Sequence, residues 1–285
     1  MQVKTGQAQS GHWSDLRSRL LSAAVMIPIV AFVLIKGGVI FGLAMALLGA
    51  GLAYEGATML SQSGDDISQW RRVLLCAWPV ICVAMAQRGA WSEIIYVCSV
   101  SWIFGWRCLG LIVPICLGVS SLVYLRFWPE TGLIYAGFVI TVVVASDSFA
   151  YLAGRLIGGR KLAPRISPNK TWSGALGGLS GAALVGLGWA VIFSPGCLFG
   201  GFFTGAFLGM VAQAGDLAES ATKRWLGVKD SGRLIPGHGG LLDRLDGLLV
   251  AAPFAALLTI GVTHQPLWCF AFLSSWQDLI SAFLP

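Results

Sequence analysis

Apolar stretches follow one another along almost the whole chain, and the polar segments between them never exceed about two dozen residues. The stretches run from about Leu20 to Ile35, Gly38 to Leu60, Val73 to Ala86, Ala90 to Trp106, Cys108 to Leu125, Thr131 to Ala153, Gly174 to Phe193, Leu198 to Ala218 and Leu245 to Val262. A helix needs about 20 apolar residues to cross a bilayer, so the pattern predicts an all-α fold of about nine transmembrane helices, several of them short. Val73 to Ala86 is the weakest. A further stretch, Leu267 to Phe283, carries Asp278 and two tryptophans, which assigns it to the interface rather than to a tenth span. With no internal repeat and no soluble insertion, residues 20–285 read as one membrane domain behind a polar tail, residues 1–19.

Composition supports this reading. Of the 285 residues 56% are apolar and only 11% charged, with a mean hydropathy of +0.76, too few charges to cover a soluble surface of this size. Lys4, Arg17 and Arg19 precede the first apolar run, which lacks a small-x-small cleavage site and so reads as an uncleaved signal anchor. Threading the chain with its N-terminus in the cytoplasm puts 16 of the 19 Lys and Arg residues on the cytoplasmic side. That places the loops Gly154 to Thr171 and Ala221 to Leu242 on one face, toward anionic lipid, and makes a nucleic-acid partner unnecessary to explain the pI near 9.1. The seven cysteines include no C-x-x-C pair and read as small buried apolar residues; the three histidines are dispersed, so structural zinc is not expected. Glycines at membrane spacing (Gly174, Gly178; Gly177, Gly181; Gly201, Gly205, Gly209) predict close helix packing inside the chain, with a homodimer as the alternative.

Val211 to Leu249 breaks the apolar pattern with five acidic and five basic residues. Asp216, Glu219, Ser220 and Lys223 recur at i, i+3, i+4 and i+7, so a helix there sets them on one face, carboxylates deeper and cation shallower. Asp243 and Asp246 repeat the pairing where the next apolar helix begins. Two carboxylate-bearing helix ends joined by a Gly-rich basic loop suit a divalent cation and several phosphates; ion pairs to Lys223 and Arg244 are the competing reading of the acids. In that loop Pro236 to Gly240 forms a turn whose amides can cradle an anion, beside His238.

A second polar block precedes the seventh stretch. Asp147, Tyr151 and Arg155 share a helix face, so the intramembrane carboxylate either borders a polar cavity or bonds a neighbouring Ser or Tyr. Arg160, Lys161, Arg165 and Ser167-Pro168-Asn169-Lys170-Thr171 follow, where a phosphate can meet Lys170 and the free amides of a helix N-terminus. The glycine spacing of a P-loop is absent.

At matching spacing, Ser220, Lys223-Arg224, Lys229-Asp230, Pro236, His238-Gly239-Gly240 and Asp243-Arg244-Leu245-Asp246 resemble the signature of the CTP:phosphatidate cytidylyltransferases, the CDP-diacylglycerol synthases. The stretch Ala145 to Gly174 is similar to that family's other signature region, so the resemblance covers residues 141–174 and 211–249 closely. It implies a nucleotidyltransferase of phospholipid biosynthesis that condenses CTP with membrane phosphatidate, using Mg²⁺ and optionally a second cation, at a bacterial inner membrane with its site facing the cytoplasm. By the same resemblance Asp216 and Asp243, supported by Asp246, hold the metal, and Lys170, Ser220, Lys223 and Arg224 position phosphates. Arg165, Lys229, Asp230, His238, Gly239, Gly240, Arg244 and Asp147 are the implied substrate-binding residues. Ser173 stands where many members carry Glu and is expected to act as a helix N-cap. The nucleophile is a phosphate already largely ionised near pH 7, so no general base is expected. Two rival readings are a CTP-dependent lipid-alcohol kinase of the dolichol kinase type and a secondary transporter using Asp147 and Asp216 as ion sites.

Overall fold

The computed structural model describes residues 26–128, 130–232, 240–260 and 266–269. The tail 1–19, His238, Gly239 and most of 267–283 lie outside the described residues. The helices are α1 (Met26–Lys36), α2 (Gly38–Gln62), α3 (Gln69–Gln87), α4 (Trp91–Val100), α5 (Trp106–Phe127), α6 (Gly132–Leu156), α7 (Trp172–Phe193), α8 (Leu198–Trp225) and α9 (Leu242–Ile260). A 3-10 turn, Ser101–Phe104, extends α4. Of these, α2, α5, α6, α7 and α8 are long and apolar enough to cross a bilayer, which makes the chain an integral membrane protein. α1 and the α4 segment are shorter apolar helices.

The helices follow the apolar stretches, with two informative differences. α8 continues past Ala218 to Trp225, because the polar residues of its last two turns satisfy one another at helical spacing: Lys223 pairs with Glu219 one turn earlier, at 2.8 Å. Between α6 and α7 a small antiparallel hairpin interrupts the all-α plan, β1 (Lys161–Ala163) against β2 (Ser167–Thr171), with Lys161 opposite Thr171 and Ala163 opposite Ser167. Gly158 and Gly159, at φ 65° and 103°, turn the chain out of α6 into it, a conformation that costs other residues.

Small residues set how closely α6, α7 and α8 approach. A Cβ on Gly186 of α7 would collide with the Gly201 carbonyl of α8, and one on Gly178 would stand 2.7 Å from the Ser146 carbonyl of α6. The glycine stripes are therefore spent on packing within the chain. Gln213 of α8 fastens the three helices by donating to Ser146 Oγ and to the Ala175 carbonyl, each at 3.2 Å. α2, α3 and α5 pack instead through larger side chains, among them Leu52, Met59, Ile112 and Val119.

At the far end from the basic loops, Cys197 and Cys269 form a disulfide, contrary to the expectation that all seven cysteines are free. Their separation of 72 residues hides the pairing from sequence spacing. Beside it Trp268 is fully buried, stacks on Phe138 at 4.6 Å and donates to Ser194 Oγ at 2.6 Å. Cys82, Cys98 and Cys116, from α3, α4 and α5, are buried and free, and their thiols lie within 4.8 Å of one another, a clustering their sequence spacing does not show.

Because the α7 to α8 contact leaves no room for a methyl group, Gly186→Ala should destabilise the protein by about 1–3 kcal/mol. Gly188→Ala, one turn face away with nothing within 4 Å of an added Cβ, should leave the melting temperature unchanged. Thermal unfolding of both variants in detergent checks the difference; equal melting temperatures would mean that the helices are not in contact at Gly186.

Candidate active site

The two basic loops meet, as their charge pattern predicts. Lys170, at the end of β2, pairs with Asp216 of α8 at 2.5 Å, and Arg224 Nε donates to the Ile166 carbonyl of the hairpin at 3.3 Å. Lys170 sits where it does because Thr171 Oγ1 caps α7, accepting the Gly174 N–H at 3.1 Å. The cap is thus Thr171 and not Ser173, which lies inside the first turn and donates to the Gly158 carbonyl. Lys170 makes its ion pair without a hydrogen bond of good angle, leaving its buried ammonium with unused donors.

Two charge groups result. In the first, Asp147, exposed on α6, Asp216 on α8 and Asp246 on α9 act on one another electrostatically, with Lys170 the cation that opposes them. Glycines beside two of these acids explain their proximity: a Cβ on Gly215 would lie 3.0 Å from the Asp246 carbonyl, and one on Gly247 3.1 Å from the Ala212 carbonyl, so α8 and α9 touch at the acids. In the second group Lys223 lies between Glu219 at 2.8 Å and Asp243 at 2.5 Å, with only 14% of its side chain exposed. Asp243 also accepts from the N–H groups of Ser231 (3.4 Å) and Gly240 (3.2 Å).

Asp216, Asp243 and Asp246 therefore do not stand alike. Asp243 is held by a cation and two amides, whereas Asp246 accepts from the adjacent Gly247 N–H, at 2.7 Å. Among the described residues, only the thiols of Cys82, Cys98 and Cys116 bring three ligand atoms within 4.8 Å of one another, so the acids are more widely spread. Glu219 Oε1 is buried without a hydrogen-bond partner. Hard carboxylate oxygens, one of them orphaned and three others mutually repelling, are the donor set that a divalent cation such as Mg²⁺ takes. Asp216 is paired with Lys170 and Asp243 with Lys223, so a divalent cation held by Asp216, Asp243 and Asp246 would take the place of both lysines.

Among the described residues, the other predicted ones lie around these two groups. Arg165, Lys229, Asp230 and Arg244 are exposed, Ser220 is half-buried on the Asp216 face of α8, and Gly240 is buried at the base of the loop. On α6, Arg155 donates to the Tyr151 hydroxyl at 2.7 Å, as their shared face predicts. A cavity of about 130 Å³ opens beside the acids, lined by Met59, Leu111, Pro114, Glu219, Asp246 and Val250 among others. Its lining is mostly apolar, with Glu219, Asp246 and Thr222 as the polar side chains. Two contributors were not singled out from the sequence: Glu55, whose carboxylate reaches α9 from α2, and Gln213, which looks like one more polar residue in an apolar helix. Neither has a local signal, whereas Glu219 shares the helix face predicted for it with Lys223 and pairs with it.

Residues 17–260 match a family described as the cytidylyltransferase family. A phosphatidate cytidylyltransferase of Brucella abortus (strain 2308) is 36% identical across 84% of this chain and 91% of its own length. Proteins with the same name from Pseudomonas aeruginosa and Haemophilus influenzae are 43% and 47% identical over 54% and 44% of this chain, and over 58% and 46% of their own lengths. Matched across most of its length, the chain belongs to the cytidylyltransferase family.

Proposed function

We infer that the protein condenses CTP with phosphatidate, releasing pyrophosphate and leaving CDP-diacylglycerol in the membrane. The observation that carries this reading is the convergence of both basic loops on the acids of α8 and α9, in a chain that matches phosphatidate cytidylyltransferases almost end to end. A lipid kinase or a transporter gains no support from the comparisons, and the charges gather at one end of the helices rather than at their middle.

In the reaction, a phosphate oxygen of phosphatidate attacks the α-phosphorus of CTP, and the bond to the β-phosphate oxygen breaks. The attacking group is already ionised, so the protein needs no base. Its task is to bring two anions together and to stabilise the leaving charge. Lys170, Lys223 and Arg224 hold phosphate oxygens, with Ser220 and the exposed cations Arg165, Lys229 and Arg244 beside them. Asp230, His238, Gly239 and Gly240 line the nucleotide, and Asp147 borders the same polar space. Asp216, Asp246 and Asp243 would hold Mg²⁺, which supplies Lewis-acid charge on the transferring phosphates. Lys223, between Glu219 and Asp243, is placed to hold an oxygen of the pyrophosphate.

For orientation we propose nine spans with a cytoplasmic N-terminus in the bacterial inner membrane. The Cys197–Cys269 disulfide supports this, since disulfides persist on the oxidising side, opposite the basic loops. Reporters fused after Arg160 and Lys229 should label as cytoplasmic and those after Lys36 and Arg126 as extracytoplasmic; opposite labels on the two basic loops would end the single-face arrangement.

Asp216→Asn and Asp243→Asn should each lower pyrophosphate release by at least about a hundredfold, or roughly 2.7 kcal/mol of transition-state stabilisation. Melting temperature and Mg²⁺-dependent turnover are read on the same detergent-solubilised samples. Near-normal turnover in both variants, with lowered melting temperature alone, would reduce the acids to ion-pair partners.

Since Thr171 supplies the cap, Ser173→Ala should keep turnover within about threefold of the parent, a change under about 1 kcal/mol. Thr171→Ala should cost about 1 kcal/mol of stability. Activity that appears only in Ser173→Glu would mean that a carboxylate is required there.

A further inference from the structure

Glu55 stands on α2, far from both signature stretches in sequence, yet it is 2% exposed and its carboxylate reaches the base of the nucleotide loop. Glu55 Oε2 accepts the N–H of Leu242, the first residue of α9, at 3.0 Å. Oε1 faces the other side of the loop, where a Cβ on Gly232 would stand 2.7 Å from it. One residue beyond Leu242, Asp243 takes the N–H groups of Ser231 and Gly240. At Gly240 a Cβ would collide with the Ser231 side chain and lie 3.0 Å from the Gly232 nitrogen. The chain entering the loop at 231 and the chain leaving it at 240–243 are thus joined by the Asp243 carboxylate, while Glu55, from the opposite half of the sequence, holds the Leu242 N–H and fills the space beside Gly232.

A buried carboxylate is costly unless it does electrostatic work, and the first amides of a helix are donors without partners inside that helix. Glu55 answers both requirements at once, and its negative charge also sits at the positive end of α9. Its position fixes the start of α9, hence the first turn that carries Asp243 and Asp246.

We propose that Glu55 is a positioning residue for CTP: it touches no substrate, but clamps the stem of the loop between Gly232 and Gly240 and the first turn of α9 in the arrangement that binds the nucleotide. This rests on the reading of that loop as the lining of the nucleotide site. The N-terminal helices, on this view, serve the reaction as well as the fold.

The test uses full-length protein in detergent micelles with Glu55→Ala and Glu55→Gln. Steady-state KM is measured for CTP and for phosphatidate separately, alongside melting temperature and amide hydrogen exchange of peptides spanning 226–232 and 240–250. Glu55→Ala should raise KM for CTP about tenfold, the loss expected for one hydrogen bond to a charged acceptor, while KM for phosphatidate stays unchanged. Exchange should quicken at the two loop stems and nowhere else. Glu55→Gln keeps a carbonyl oxygen for the Leu242 N–H and should recover most of the CTP affinity. Should Glu55→Ala fail to accumulate, Gly232→Ala presses on Glu55 Oε1 from the other side and should raise KM for CTP in the same way.

An unchanged KM for CTP in the variants, or a fall in melting temperature and active fraction that Gln does not repair, overturns the proposal and leaves Glu55 a core residue. Quickened exchange at the stems with KM raised for phosphatidate instead of CTP overturns the nucleotide assignment of the loop, and does so without disturbing the clamp or the overall reaction.

Discussion

Lys223 is the charge on which the catalytic end of the molecule is built. It projects from the last turn of α8 into a space that is nearly closed to solvent, and there it is shared by Glu219 of its own helix and Asp243 of α9. Removing an ammonium and two carboxylates from water costs several kcal/mol for each ion, and their mutual attraction offsets this only while all three stay together. Asp243 carries the constraint onward, because its second oxygen gathers the amides of Ser231 and Gly240. The arrangement of α8, α9 and the loop between them is thus a single electrostatic unit. With both carboxylates ionised it is one negative charge in excess, and Asp147, Asp216 and Asp246 lie nearby, Asp216 paired with Lys170. Lys170 and Lys223 are the cations that the structure pairs with these acids.

Much of this was legible in the sequence, and the reasons are physical. The helices followed from apolar run length, since a bilayer imposes a minimum span. The Asp216, Glu219, Ser220 and Lys223 face followed from helical periodicity. The meeting of the two basic loops followed from the distribution of lysine and arginine, which depends only on which side of a membrane each loop occupies. In each case a local pattern carried the information.

What stayed hidden depends on contacts between residues distant in the chain. Glu55 is one acidic residue in a long apolar helix, and nothing near it in sequence says that it faces the N-terminus of α9, 187 residues away. The Cys197–Cys269 bond and the three-way role of Gln213 were invisible for the same reason. Ser173 shows a finer limit: Thr171, Ser173 and Gly174 all suit a helix start, and which hydroxyl caps α7 is decided by how β2 delivers the chain. The hairpin itself was missed because its strands are too short to show alternation.

The two sides of the site are packed by different means, and this bears on how it handles two unlike substrates. On one side α6, α7 and α8 touch through glycine and alanine, backbone against backbone, which fixes Lys170, Asp216 and the hairpin in a rigid frame. On the other side α2, α5 and α9 meet through larger apolar side chains and leave the cavity beside Glu219 and Asp246. A rigid polar frame suits a nucleotide triphosphate, whose phosphates must be placed closely for in-line displacement. A side built of Leu, Met and Pro suits a partner that is apolar and chemically variable, as the acyl-bearing end of a phospholipid is. The acids Asp216 and Asp246 lie along the seam between the two sides, where α8 and α9 touch at Gly215 and Gly247.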